Sequence, residues 1–582
     1  MHGCPYSSAS LFYLLSVILL PPLVLAANIN LDDNSTAPYI FNELYSLLIH
    51  WPNTFHPNGH TIVPGELEPY TLLYHARKDP QVPPPSPEWL AFDPEMSYAV
   101  MASKIPGPTY LYTYRTVKSA KVLYFNGMSA AWGDGWLDTQ YSVITGKGKT
   151  NGSREREVSL WDDYGRARAL CEWGRPRGFD GIVRMNAGFE IIWCDFQSPL
   201  LSLISSLNIT PPGTPEAGHS FPFPPDDKFL VQTEGLDEEL PSRPPRWPGR
   251  RPGGPGRSPG GDGGGPWGFE MAPLARSGNM EWMRAAVRHH SIIQPHLSLS
   301  YSGLVTFYHP RYQSLVPSRV GKRMQEHFPW EHASDEDVDT FLSELDLAVS
   351  GVNGPGTGFN WQSAALDVVA FWASRISQLD KLLGSVNGTS NLTLVIKTVQ
   401  QLSYSPLDPF IAYGEALNAS GHEIFFDVHS SPSIIPDESV SNTTALQRCI
   451  SSATAFLAFP ELRALMTPQE HVLKKSYETV LERLCTDFGK LFAESTDMLS
   501  SSVPEALMIS TWHKRVKSLM TWLEWSAWLR CDEICDRDSV CSMPLWPIAW
   551  VGGPFGRPGK SIDADMLRPT CRRLNVDGLE AR

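Results

Sequence analysis

At 582 residues, with 42% hydrophobic and 11% aromatic side chains, the chain is long enough for two or more domains and too apolar for global disorder. A formal net charge of −14 excludes a general nucleic-acid binder, because phosphate recognition needs a basic field.

The first 26 residues read as a signal peptide. Their apolar core, residues 11–25, is too short and too broken by Pro21-Pro22 to cross a bilayer, while Val24 and Ala26 supply the small residues of a cleavage site. No later stretch approaches ~18 apolar residues. The last five residues form neither a hydrophobic GPI tail nor an ER-retention signal. Seven Asn-x-Ser/Thr acceptors agree with export: Asn34, Asn151, Asn208, Asn387, Asn391, Asn418 and Asn442. The expected product is a secreted or lumenal glycoprotein without a stable membrane span.

Residues 27–210 carry the signals of an α+β domain. Short β-branched and aromatic runs predict strands over 72–75, 109–116, 121–125 and 181–185, and the link 117–120 is short enough to join the middle two as a hairpin. Residues 161–173 read as a helix, and Gly178-Phe179-Asp180-Gly181 as a turn into the next strand. In 189–196, alternation sets Glu190 on one face with Ile192, Cys194 and Phe196, and Phe189, Ile191 and Trp193 on the other. Both faces are apolar, so the segment is a central strand with a carboxylate in its interior. Such a group is costly unless paired, by an arginine such as Arg184, or used in chemistry. Glu190 is therefore the leading candidate catalytic residue.

Residues 211–270 form a Pro/Gly-rich linker. Between 241 and 267, 17 of 27 residues are Pro or Gly, which bury too little apolar surface to offset the entropy of ordering. Arg243, Arg246, Arg250, Arg251 and Arg257 make it locally basic, and Lys322-Arg323 resembles a dibasic processing site, as does Arg250-Arg251. The linker also sorts the cysteines. Cys171 and Cys194 precede it, whereas Cys449, Cys485, Cys531, Cys535, Cys541 and Cys571 follow it. If each half closes its own bridges, Cys171–Cys194 is required and 15 pairings remain for the other six. The 531–541 cluster lacks histidine, which favours disulfides over a metal centre.

Residues 271–582 read as a helical, disulfide-tied domain. Ser334 caps a helix with Val338, Phe341, Leu342, Leu345 and Val349 on one stripe; 361–383 continues with Val368, Val369, Trp372, Ile376 and Leu379. Thr467-Pro468-Gln469-Glu470 is a capping box opening the helix of Leu473, Tyr477, Val480, Leu484 and Phe488. Trp512, Trp522, Trp525 and Trp528 have the spacing of core packing.

The strand around Glu190 resembles the catalytic-glutamate strand of ADP-ribosyltransferases. Leu72-Leu73-Tyr74-His75-Ala76-Arg77 is similar to the first strand of that family, and Glu88-Trp89-Leu90-Ala91-Phe92-Asp93 followed by Ser97-Tyr98-Ala99 to its aromatic strand and next helix. Coverage is about residues 60–200. The resemblance implies a His75–Tyr98–Glu190 triad of the poly-ADP-ribose-polymerase-like branch, with NAD as co-substrate. Glu190 would stabilise an oxocarbenium-like centre, Tyr98 would stack on nicotinamide, Trp89 would line the aromatic strand, and His75 would bond the adjoining ribose. Ala76 and Arg77 depart from that pattern, where glycine and a hydroxyl residue are usual. The implied activity is ADP-ribosyl transfer to a protein or small-molecule acceptor, or NAD glycohydrolysis. The competing class is a non-enzymatic extracellular binding or structural glycoprotein.

Gly-x-Ser-x-Gly occurs at residues 256–260, inside the Pro/Gly-rich linker and not between a strand and a helix, and His-Glu-x-x-His does not occur, which disfavours a common α/β-hydrolase and a zincin. His289-His290 read as surface histidines, and no metal ligand set is expected.

Overall fold

A computed structural model describes residues 35–55, 59–104, 107–131, 134–146, 162–214, 273–322, 327, 333–412, 420–427, 443–501, 506–542 and 568–573. The signal-peptide reading, Asn34, Asn151, Asn418, Asn442, the linker beyond residue 214, Arg250-Arg251 and Arg323 lie outside the described residues.

Apolar alternation and β-branching build a mixed sheet from short strands. These are β1 (Thr61–Leu67), β2 (Leu72–Arg77), β3 (Glu88–Ala91), β4 (Tyr110–Thr116), β5 (Ala120–Phe125), β6 (Gly181–Met185), β7 (Phe189–Trp193), β8 (Leu201–Asn208), β9 (Leu297–Leu299) and β10 (Val305–Thr306). Their order is β10-β1-β5-β6-β7-β3-β2-β4-β8, with β9 also on β1. β5 and β6 are parallel; the remaining pairs are antiparallel.

The helices of this region are α1 (Ala37–Ser46), α2 (His50–Phe55), α3 (Pro94–Lys104), α4 (Asp134–Thr145) and α5 (Asp163–Gly174). Asp162 caps α5 by accepting from the Gly165 amide. The parallel β5–β6 step is spanned by α4 and α5, since a parallel crossover needs a long connection.

The expected hairpin between 109–116 and 121–125 does not form. Both segments are strands, but β4 pairs with β2 and β8, while β5 pairs with β1 and β6. A short link permits a hairpin without requiring one, and the neighbours each strand takes come from distant sequence.

After the linker come α6 (Pro273–Arg288), α7 (Asp335–Ser350), α8 (Trp361–Gly384) and α9 (Leu392–Tyr404), then the 34-residue helix Pro468–Ser501 and Ala506–Leu523. Ser334 caps α7, accepting from Asp337 N at 3.2 Å. The Thr467–Glu470 box forms reciprocally at 3.2 Å in both directions. Trp512 and Trp525 are fully buried, as core spacing implies. The protein is thus α+β, with a mixed sheet region followed by a helical region.

Both sequence halves share one compact unit, Asn34–Arg582. β9 and β10 lie beyond the linker yet extend the sheet at β1. One hydrophobic cluster runs from Leu73, Val183 and Ile191 in the sheet through Phe41 of α1 to Trp361, Phe488 and Trp512. α1 joins the two regions: Asn42 Nδ2 donates to Leu523 O at 2.8 Å, and Ser476 Oγ donates to Ala37 O at 2.6 Å. The opposite sheet face packs Ile62, Leu123, Phe125, Ile182 and Ile192 against α5 and α7.

Among the described residues four disulfides close: Cys171–Cys194, Cys449–Cys485, Cys531–Cys541 and Cys535–Cys571. The last two staple a small sheet of β11 (Ser539–Ser542) and β12 (Thr570–Arg573). No helix among the described residues is long and apolar enough to cross a membrane.

Candidate functional site

β7 lies between β6 and β3, and all five of its residues are buried, so Glu190 does occupy a central strand. The β6–β7 register pairs it directly with Arg184. Arg184 Nη2 lies 2.6 Å from Glu190 Oε1, and Asn186 Nδ2 donates to Oε2 at 3.3 Å. Both carboxylate oxygens are therefore engaged by the hairpin that carries them.

The arginine is anchored in turn. Its Nη1 donates to Gln140 Oε1 at 3.1 Å, and Gln140 Nε2 donates to Ser129 O at 2.6 Å. Ser129 Oγ donates to Phe125 O at 2.7 Å, tying the network to the end of β5. A second arginine, Arg166 of α5, is 1% exposed and paired with Asp163 one turn earlier. Burial pushes the Glu190 carboxyl above its ordinary range, opposed chiefly by Arg184 and also by Arg166. Glu190, Arg184 and Arg166 are buried, and the partly exposed Asp163 completes a group of two acids and two guanidiniums.

The register also fixes which side chains share a face. Tyr74 pairs with Ala91, and Ala91 with Glu190, so Tyr74, Ala91, Glu190 and Arg184 project to one side. His75, the next residue along β2, projects to the other. His75 Nδ1 bonds Trp89 O at 2.7 Å, and its Nε2 is buried without a hydrogen-bond partner among the described residues. Burial, then the nearby Arg77 charge, pull its pKa down to about 4, so the ring is neutral at physiological pH.

Trp89 pairs with Ile192 and shares the Glu190 face, where its ring meets Tyr164 edge-on at 4.6 Å. Tyr98 sits on α3, which packs against α6, and its ring lies beside Gly278 of that helix. Burial and the Glu95 and Glu281 charges push its phenol up to about 12. The structure therefore brings Trp89 and Glu190 onto one sheet face, sends His75 to the opposite face, and sets Tyr98 at a helix–helix contact.

Several buried polar residues carry little sequence signal. Glu43 of α1 is 1% exposed, with Oε2 accepting from Asn126 Nδ2 at 3.1 Å, and burial lifts its pKa to about 7. Tyr124 OH donates to Asn126 Oδ1 at 2.7 Å and accepts from Asn53 Nδ2 at 3.1 Å. Arg319 is fully buried with its guanidinium carbon 4.7 Å from the Tyr308 ring centre, a cation–π contact. Glu43 meets Asn126, and Tyr124 meets Asn53, across more than 70 residues of sequence, whereas the Asp163–Arg166 and Tyr124–Asn126 pairs are local.

The three sulfurs of Cys531, Cys535 and Cys571 lie within 4.8 Å of one another, but all three are in disulfides, in line with the preference for bridges over metal. Of the acceptor asparagines among the described residues, Asn208, Asn387 and Asn391 are solvent-exposed or partly so.

A family model described as the YPL277C N-terminal domain matches residues 101–217. That span contains Ser129, Gln140, Arg166, Arg184, Asn186 and Glu190, whereas His75, Trp89 and Tyr98 precede it. Two proteins of Saccharomyces cerevisiae (strain ATCC 204508 / S288c) are similar to part of the chain. Uncharacterized protein YOR389W is 32% identical over 221 residues, covering 31% of this chain and 34% of the yeast protein. Uncharacterized protein YPL277C is 32% identical over 222 residues, covering 31% and 44% respectively. The chain spans less than half the length of these curated relatives. No solved structure matches.

Proposed function

We propose that this is an exported, disulfide-bonded glycoprotein that acts by binding or as a structural component, without NAD chemistry. The observation that carries the reading is the Arg184–Glu190 pair, at 2.6 Å inside the sheet. A carboxylate stabilises an oxocarbenium-like centre through its uncompensated negative charge. Here that charge is met by a guanidinium, and the second oxygen accepts from Asn186. Turnover would require Arg184 to withdraw, leaving its buried charge without the carboxylate that compensates it. The position of His75 across the sheet adds independent support, since a ligand contacting both groups would have to pass through β3 and β2.

Export is supported by the apolar leader, the acceptor asparagines and four disulfides, which persist in oxidising compartments. The test is recovery of the chain from culture medium, a gel shift with an N-glycan-cleaving enzyme, and calorimetric titration of the purified material with NAD. The reading requires secretion, a glycosidase shift and no heat of NAD binding. Retention in the cytosol without glycan, or saturable NAD binding, would overturn it.

A further inference from the structure

The cysteine-rich tail contains two disulfides packed against each other. The Cys531 sulfur, bonded to Cys541, lies within 4.8 Å of both sulfurs of the Cys535–Cys571 bond. Cys541 and Cys571 are moreover directly opposite in the β11–β12 register, yet each is bonded to a residue of the preceding loop. Neighbours in the sheet are therefore not partners in the covalent pattern, and more than one pairing is within reach of this backbone. All four cysteines are partly exposed. By contrast Cys449 and Cys485 are at most 1% exposed, and Cys171 and Cys194 at most 5%.

We propose that this tail is a thiol–disulfide exchange site, addressed by a dithiol reductant, in which Cys531 takes over one half of the Cys535–Cys571 bond. An external dithiol opens Cys531–Cys541 and leaves as its own disulfide, having supplied two electrons and the protons that the two released sulfurs carry. The Cys531 thiolate then attacks a sulfur of Cys535–Cys571. A new S–S bond forms, the old one breaks, and the electron pair departs on the displaced sulfur, which takes up a proton. Attack at Cys535 yields Cys531–Cys535 and frees Cys571, directly across the sheet from the already free Cys541. Attack at Cys571 yields Cys531–Cys571 and frees Cys535. The second step consumes no further reductant. Exposure permits the first step, and sulfur proximity permits the second.

The direct test is Cys541→Ser in the full chain, which leaves Cys531 permanently without its native partner. Peptide mapping under non-reducing conditions, after blocking thiols with N-ethylmaleimide, is expected to find Cys531 joined to Cys535 or Cys571. Complete alkylation of Cys531 with Cys535–Cys571 intact would overturn the proposal. Intact Cys449–Cys485 and Cys171–Cys194 peptides certify that the variant has folded. Should they be lost, the native chain treated with limiting dithiothreitol decides the matter. Exchanged pairs involving Cys531 support the site, and joint alkylation of Cys531 and Cys541 beside an unchanged Cys535–Cys571 bond refutes it.

Discussion

Arg184 and Glu190 meet across the β6–β7 hairpin, Nη2 to Oε1 at 2.6 Å, with both side chains buried. Removing one member strands the other as an uncompensated charge. Arg184→Met is expected to cost about 3–5 kcal/mol of folding stability, while Arg184→Met with Glu190→Leu recovers most of that loss because the pair is then replaced by apolar volume. Urea unfolding of the single and double variants checks this; additive losses would contradict a mutually dependent pair.

Glu43 gives stability a pH dependence of definite sign. Its carboxyl is lifted from 4.5 to about 7 in the fold, chiefly by burial. The folded protein thus holds a proton that the unfolded chain has released, and the stability this supplies is complete below about 4.5 and lost as pH rises through about 7. The loss is on the order of 3 kcal/mol. Glu43→Gln should therefore be more stable than the native chain at pH 7.5, with the gap closing toward pH ~4.5. Melting temperatures across that range provide the check, and a constant gap would exclude the linkage.

Asn391 is both a helix cap and the first residue of an acceptor sequence, and substitution can separate the two. Its Oδ1 accepts from Leu394 N at 3.1 Å as the N-cap of α9, while its Nδ2 would carry the glycan that the proposed export implies. Thr393→Ala abolishes the acceptor signal and spares the cap. Asn391→Ala abolishes both and is expected to lose about 1 kcal/mol more. Equal glycan loss on gels with unequal melting temperatures is the expected pattern.

The Cys171–Cys194 bridge ties α5 to the end of β7 across a sequence separation of 23. Replacing both cysteines by alanine is expected to cost about 3 kcal/mol through the freedom regained by the unfolded chain. Denaturation of the double variant measures it.

Where sequence reasoning succeeded, the deciding information was local. The β6 segment is a short apolar run, Ser334 and Thr467 announce their caps, and the division of cysteines leaves Cys171 one partner. It failed where a neighbour had to come from elsewhere. Nothing in 109–125 says that β4 will choose β2 and β8 while β5 chooses β1 and β6. The site depends on the same kind of information. Glu190 is recognisable as a buried acid from alternation alone, but whether His75 or Tyr74 shares its face turns on a one-residue difference in register. The four-charge group of Asp163, Arg166, Arg184 and Glu190 likewise exists only once α5 lies on β6 and β7.

The most direct measurement is nicotinamide release from NAD by the purified chain, run beside Glu190→Gln and paired with melting curves. A structural Glu190 predicts no release by either protein, no NAD-induced rise in melting temperature, and a lower melting temperature for the variant. Release by the native chain that disappears in a variant of unchanged stability would contradict the account.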